Sequence, residues 1–264
     1  LPVTALADGV NAPNTLYVGG TLFSSNSDGG YWTTDAQGKL TESTANDNWN
    51  VKYEPSTATL TLRGATIQGQ DFTESAPFGA GIYAVCSSNQ SVALTIELIG
   101  ENTITGIYGI YVEAQQGETV GTNASLLIQN SGDDGSLEVS GSVYGIYVKS
   151  GTGNASVTIE NASVDAKTTQ TISGYAGVYV QSSSEANSPQ LSLTVNGGSL
   201  TTSASEGNDG IQFYVGAYGV TSATTSLSVT NNAIVDTRNG GISARGVSVN
   251  PNVNIGSNDN TGGI

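Results

Sequence analysis

Four side chains stand out, by type and spacing, as able to do chemistry: the carboxylates Glu138 and Asp165 and the amines Lys149 and Lys167. Cleaving a glycosidic bond takes two carboxylates ~5–9.5 Å apart, one donating a proton while the other attacks or activates water. Glu138 and Asp165 hold the same place in successive copies of an internal repeat, which would set them within that range. Lys149 and Lys167 lie in adjacent copies and could serve as bases in an elimination, but no acid cluster accompanies them to hold calcium. Their carboxylate ladder otherwise reads Gln68, Thr105 and Thr201, the mixture of an ordinary solvated face. Histidine, the commonest general base and metal ligand, is absent. A non-catalytic protein is therefore expected, with a polysaccharide lyase or hydrolase using Glu138 and Asp165 as the alternative.

Two further groups could bind rather than react. Acidic turns at Ser27-Asp28-Gly29-Gly30, Asp133-Asp134-Gly135, Asn208-Asp209-Gly210 and Asn258-Asp259-Asn260 offer the oxygens that calcium takes. None matches the D-x-[DN]-x-[DN]-G loop, and Asp-Gly forms turns unaided, so turn chemistry is the expected role. No cofactor is expected, although an anionic ligand would make bridging Ca2+ nearly necessary, because the chain carries a net charge of −15. Tyrosine supplies the second group. Tyr83, Tyr111, Tyr147 and Tyr179 recur at one repeat position, with Tyr108, Tyr144 and Tyr175 nearby. Sugar C–H faces pack on aromatic rings, which makes the first four the candidate ligand-binding residues. Rings about 4.8 Å apart would instead lie on one another and hold the repeats in register, and geometry favours that second reading.

The elements that must position these groups come from the repeat itself. A G-I-Y-V-like phrase returns at Gly81, Gly109, Gly145, Gly177, Gly210 and Gly241, roughly every 30 residues. An x-L-T-I phrase recurs with it, centred on Leu60, Leu94, Leu126, Val157, Leu193, Leu227 and Val253. After a short Asn/Gly break comes a third, ending at Ile67, Ile104, Leu137, Val164, Leu200 and Ile234. Each run alternates apolar and polar residues, the mark of a strand with one buried face. One such unit cannot bury that face alone, so the units must stack. The expected fold is all-β: a right-handed parallel β-helix of about six to seven rungs, three short strands per rung. Ile82, Ile110, Ile146, Val178, Ile211 and Ile242 would form one inner ladder, and the Leu60-to-Leu227 series a second. The repeat glycine would mark a corner where positive φ is cheap.

Residues 1–56 lack the repeat and contain both tryptophans, Trp32 and Trp49. They are expected to form an N-terminal arm and a β-hairpin cap over the raw end of the coil, with the helix itself spanning 57–264. Beyond Asn252-Val253-Asn254-Ile255 the repeat breaks off in mid-rung, and more chain is expected to follow. Ala5-Leu6-Ala7 resembles the tail of a cleaved export signal.

Composition narrows the partners. Twenty-two acids against seven basic residues repel nucleic acid and anionic lipid. No stretch approaches the ~20 apolar residues that cross a bilayer. Cys86 is the single cysteine, so no internal disulfide forms and packed core is its expected place. A monomer is expected.

Leu16-Tyr17-Val18-Gly19-Gly20, Trp49-Asn50-Val51-Lys52-Tyr53 and the segment from Ser56 to Ile67, followed by G-I-Y-V rungs, resemble secreted or cell-surface parallel β-helix proteins of bacteria. Some of those are described as carbohydrate-binding, including a clostridial group that binds acidic pectic polymers. The resemblance covers nearly the whole chain, but its motifs build rungs and caps and contact no ligand. It implies an exported, adhesin-like or polysaccharide-binding surface protein; a purely structural stalk is a further alternative.

Overall fold

The structure, a computed structural model, describes residues 11–23, 28–70, 79–87, 89–116, 121–132, 134–183, 188–216, 220, 222–247 and 252–256. Ala5-Leu6-Ala7, Ser27, Asp133 and the Asn258-to-Asn260 turn lie outside these residues. The N-terminal strands are β1 (Thr15–Val18), β2 (Thr21–Leu22), β3 (Gly30–Thr34), β4 (Leu40–Ser43) and β5 (Val51–Glu54). A 3-10 turn at Pro55–Thr57 leads into β6 (Thr59–Arg63) and β7 (Thr66–Gln68). There follow β8 (Ile82–Cys86), β9 (Val92–Ile99), β10 (Glu101–Ala114), β11 (Ala124–Asn130) and β12 (Ser136–Ser150). The chain continues through β13 (Ala155–Thr168), β14 (Ala176–Ser182), β15 (Gln190–Ser203) and β16 (Asp209–Val215). It closes with β17 (Thr224–Thr230), β18 (Ile234–Arg238), β19 (Ile242–Gly246) and β20 (Asn252–Gly256). No α-helix occurs among the described residues.

From β6 onward the neighbouring strands run parallel, and the chain winds as a parallel β-helix of about five turns. Three faces result. The tyrosine face stacks β8, the second half of β10, the second half of β12, β14, β16 and β19. A hydroxyl face stacks β6, β9, β11, β13, β15, β17 and β20. The third, mixed-charge face stacks β7, β18 and the remaining halves of β10, β12, β13 and β15. The expected six to seven rungs correspond to these six or seven strands per face, joined by about five full turns.

Inside the coil the apolar columns are dry. Ile82, Ile110, Ile146, Val178 and Ile211 are all fully buried and directly paired, while Ile242 at the last turn is half-buried. The register corrects three details of the sequence alignment. Leu60 pairs with Ile96 rather than Leu94, and Ile104 pairs with Val139 rather than Leu137. Both are slips of two residues, which keep a side chain on the same face, and Leu60 and Ile104 remain buried. Ile234 is different. Asn231 and Asn232, both left-handed, lengthen that corner by one residue, so Val235 takes the inner place beside Leu200. Ile234 turns outward and is 58% exposed. One residue of slip reverses the face.

The repeat glycines also serve a different end from a positive-φ bend. Gly81, Gly109, Gly145, Gly177 and Gly210 all have ordinary φ. What they lack is room: a Cβ on Gly145 would stand 2.6 Å from the Gly177 carbonyl oxygen and 2.9 Å from the Lys167 amide nitrogen. A Cβ on Gly109 would stand 2.5 Å from the Gly145 oxygen. The backbone itself therefore packs along this column. Left-handed residues sit instead at the Asn/Gly break between the hydroxyl and mixed-charge faces, as at Gly100 (φ 65) and Asn161 (φ 52). Asn102, buried inside this corner, accepts from the Ala65 amide (2.9 Å) and donates to the Gly100 carbonyl (2.9 Å), pinning one turn to the next.

At the N-terminal end, β1 pairs antiparallel with β8, and β5 pairs antiparallel with both β3 and β6. Trp32 and Phe23 stack at 3.7 Å and are both buried, filling the interior at that end. Cys86 is buried too, its thiol donating to the Ala12 carbonyl (3.3 Å).

The glycine column gives a direct test. Gly145→Ala should lower stability by about 1–3 kcal/mol, the cost of overpacking a closed site. Gly241→Ala, whose Cβ would meet nothing within 4 Å, should be near neutral. Denaturant midpoints of the two variants compare them; equal shifts would contradict the close-approach role.

Candidate functional site

The four tyrosines expected to bind ligand do line up on successive turns: Tyr83, Tyr111, Tyr147 and Tyr179 are register partners. They are 4%, 5%, 8% and 7% exposed. Tyr108 and Tyr144 interleave with them. Tyr111 lies on Tyr147 at 4.5 Å with rings 6° from parallel, and Tyr144 lies on Tyr179 at 4.4 Å and 7°. Tyr175 meets Tyr144 edge-on, and Tyr214 extends the stack beyond Tyr179. Ring faces are thus turned to other rings, leaving no open platform for a sugar. The outward side of this face has become a second, phenolic core.

One charge pair is set into it. Glu113 is buried, and its Oε1 receives a hydrogen bond from Lys149 Nζ at 2.7 Å. Tyr83 Oη reaches Glu113 Oε2 at 3.5 Å, and Tyr147 Oη donates to Gln181 Oε1 at 2.5 Å. Burial pushes the Tyr83, Tyr111, Tyr147 and Tyr179 phenols well above their ordinary value; neighbouring phenols add to it at Tyr111, Tyr147 and Tyr179, and Glu113 at Tyr83, Tyr111 and Tyr147. Tyr144 is pushed from 10.0 up to about 12, by burial first and then by Tyr108.

The catalytic candidates fare differently from their expectation. Glu138 and Asp165 are indeed register partners on adjacent turns. The residue beneath Glu138 is Thr103, however, and Gln68 and Thr105 belong to the next column, two residues along. Lys167 Nζ bridges both carboxylates, at 2.8 Å from Glu138 Oε1 and 2.9 Å from Asp165 Oδ2. Hydrogen bonding to Glu138, then to Asp165, raises the Lys167 pKa. Lys149 and Lys167 thus each have an acid partner. Glu138 and Asp165 lie on a half-open wall outside every groove described here.

Of the acidic turns, the one at Asn208-Asp209 is engaged by the fold. Asn208 accepts from the Tyr175 amide (2.9 Å) and donates to the Gln170 carbonyl (2.7 Å). Asp209 takes Ser243 Oγ at 2.7 Å and Arg245 at 3.1 Å. No group of three or more acid or thiol side chains able to hold a metal occurs among the described residues.

A groove appears instead on the hydroxyl face, where the sequence had suggested only alternating strands. Two adjoining cavities of about 420 and about 690 Å³ share Ala93, Thr95, Ser125 and Ser156 and cross five consecutive strands, β9, β11, β13, β15 and β17. Outward side chains form columns there: Ala93, Ser125, Ser156, Ser192 and Ser226, then Thr95, Leu127, Thr158, Thr194 and Ser228. They are half-buried or buried although they point away from the core, so the surface is recessed. Ser156, Thr158, Ser192, Thr194, Ser226 and Ser228 make no side-chain hydrogen bond within the described residues. Half-buried hydroxyls without protein partners are what a hydroxyl-rich ligand or ordered water would satisfy.

The adjacent column is closed on itself. Glu97 accepts from Thr61 Oγ1 (3.2 Å) and Gln129 Nε2 (3.1 Å), and Asn196 accepts from Thr230 and Asn231. Glu160 is the acid in that row with no hydrogen bond or ion pair among the described residues. The only sequence signal for the groove was the S-x-T spacing inside the x-L-T-I phrase, which reads equally well as an ordinary solvated face. Comparison of the chain with family models, curated proteins and solved structures found no match.

Two measurements follow from the phenolic core. Tyr144 keeps its proton more tightly when folded than when unfolded, so its stabilisation is complete below pH 10.0 and is lost as pH rises through about 12, with the more deeply buried phenols raised further. Phenolate absorbance should therefore rise late and steeply, together with loss of β-sheet signal; a gradual rise centred on 10.0 would contradict the packing. Lys149→Met leaves Glu113 buried without a counter-charge and should cost on the order of 1–3 kcal/mol. Lys167→Met, whose partners are 56% and 39% exposed, should cost under about 1 kcal/mol in the same denaturation series.

Proposed function

We propose that this protein is a non-catalytic polysaccharide-binding β-helix whose ligand lies in the hydroxyl groove rather than on the tyrosines. The observation that carries this reading is the run of six half-buried Ser and Thr hydroxyls, open to solvent and without protein partners, repeated turn after turn. A polymer repeats along its length as the groove does, so one weak contact can be made many times. The resemblance to exported carbohydrate-binding β-helices supports the same conclusion and favours a place outside the cell, secreted or at a bacterial surface. Three features speak against catalysis: Lys167 ties up Glu138 and Asp165, Glu113 neutralises Lys149, and among the described residues no pair of free carboxylates lines the groove.

Filling the groove tests the proposal. Thr158→Trp and Thr194→Trp place large rings where the ligand would lie and, projecting outward, should leave the fold intact. Binding on a glycan array should fall at least tenfold in each, a loss of about 1.4 kcal/mol. Incubation with polysaccharides that the protein binds should release neither reducing ends nor unsaturated products. Array binding that survives both variants would remove the groove from the account. No array binding by the parent chain would favour a stalk.

A further inference from the structure

Resting on the groove reading above, we infer that the ligand is a neutral, extended polysaccharide lying along the coil axis, with about one sugar residue per turn. Charge makes the first case. All seven basic residues have another place: Lys149, Lys167, Arg238 and Arg245 are in ion pairs, Arg63 lies over Trp49 and Lys52 over Tyr31. The seventh, Lys39, lines a separate cavity at the N-terminal cap. None lines the groove, so a uronate or sulfate group would meet only hydroxyls inside the field of a chain at −15.

A bridging cation does not rescue an acidic ligand. Calcium takes six to eight oxygens, usually with several carboxylates, and Glu160 is the one carboxylate lining the groove among the described residues. Glu97, just beyond, is already satisfied by Thr61 and Gln129.

Geometry supplies the rest. Equivalent hydroxyls repeat about 4.8 Å apart along the axis, a step comparable to one sugar residue in an extended chain. No aromatic ring lines the groove among the described residues, so no subsite there can dominate through stacking. Contacts come from Ser and Thr hydroxyls together with the apolar patches of Ala93 and Leu127. Affinity must therefore accumulate turn by turn, over the five strands that the groove crosses.

A length series of neutral oligosaccharides tests this, using cello-, manno-, xylo- and chito-oligosaccharides from dimer to octamer, with oligogalacturonides of equal length as the acidic arm. Titration calorimetry is run with calcium and with chelator. The expected result is that at least one neutral series binds, that its affinity rises severalfold with each residue up to roughly the pentamer, and that it then levels off. The series should bind equally with calcium or chelator, and Thr194→Trp should abolish it. Oligogalacturonides should bind at least tenfold more weakly in both conditions. Tighter oligogalacturonide binding, a calcium requirement, or affinity independent of length would overturn this inference while leaving polysaccharide binding in the groove intact. Failure of every neutral and acidic series would overturn both.

Discussion

Close stacking of backbone on backbone, turn over turn, is the constraint from which the rest of this structure follows. Along the column from Gly81 to Gly210, carbonyl oxygens of one turn lie where a Cβ of the turn before would be. That approach keeps neighbouring turns in parallel hydrogen-bonding distance and sets Ile82, Ile110 and Ile146 directly over one another. Once the pitch is set, every outward side chain also has a like neighbour above and below it. A feature that is weak on one turn becomes a continuous ladder on five.

The three faces show three uses of that repetition. On the tyrosine face, large rings at one pitch must stack, and interleaving by Tyr108 and Tyr144 turns the stack into a buried slab. Such a slab excludes water well enough to raise its phenols and to hold Glu113 against Lys149. On the mixed-charge face, Lys167 reaches an acid on its own strand and another on the strand beside it, so the ladder neutralises itself. On the hydroxyl face the groove side chains Ser156, Thr158, Ser192, Thr194, Ser226 and Ser228 are too short to reach one another, and their hydroxyls make no hydrogen bond among the described residues. The smallest side chains thus leave an opening.

The binding proposed for such a face differs in kind from binding in an enzyme cleft. An enzyme concentrates charge and desolvation at one reacting bond. Here the six free hydroxyls are neutral, alike and repeated on β13, β15 and β17, with Glu160 the unpaired acid beside them, while Glu113, Glu138 and Asp165 are matched to Lys149 and Lys167 elsewhere. That distribution is the one that the proposed binding of a repeating polymer, through many equal contacts, would use.

Much of the fold was legible in the sequence because alternation has a period of two. The inner ladders, the three strands per turn and the stacking could all be read from the x-L-T-I and G-I-Y-V phrases. Misalignment by two residues at Leu60 and Ile104 did no harm to the buried face, whereas the single extra residue before Ile234 reversed it. What the outward residues do was decided only in three dimensions. Exposure of Tyr111, the partners of Lys149 and Lys167, and the recess around Thr158 all depend on residues roughly a full turn away in the chain. Side-chain direction is a local property of the strand, and so the sequence states it; burial, pairing and concavity are properties of neighbouring turns, which only the wound coil brings together.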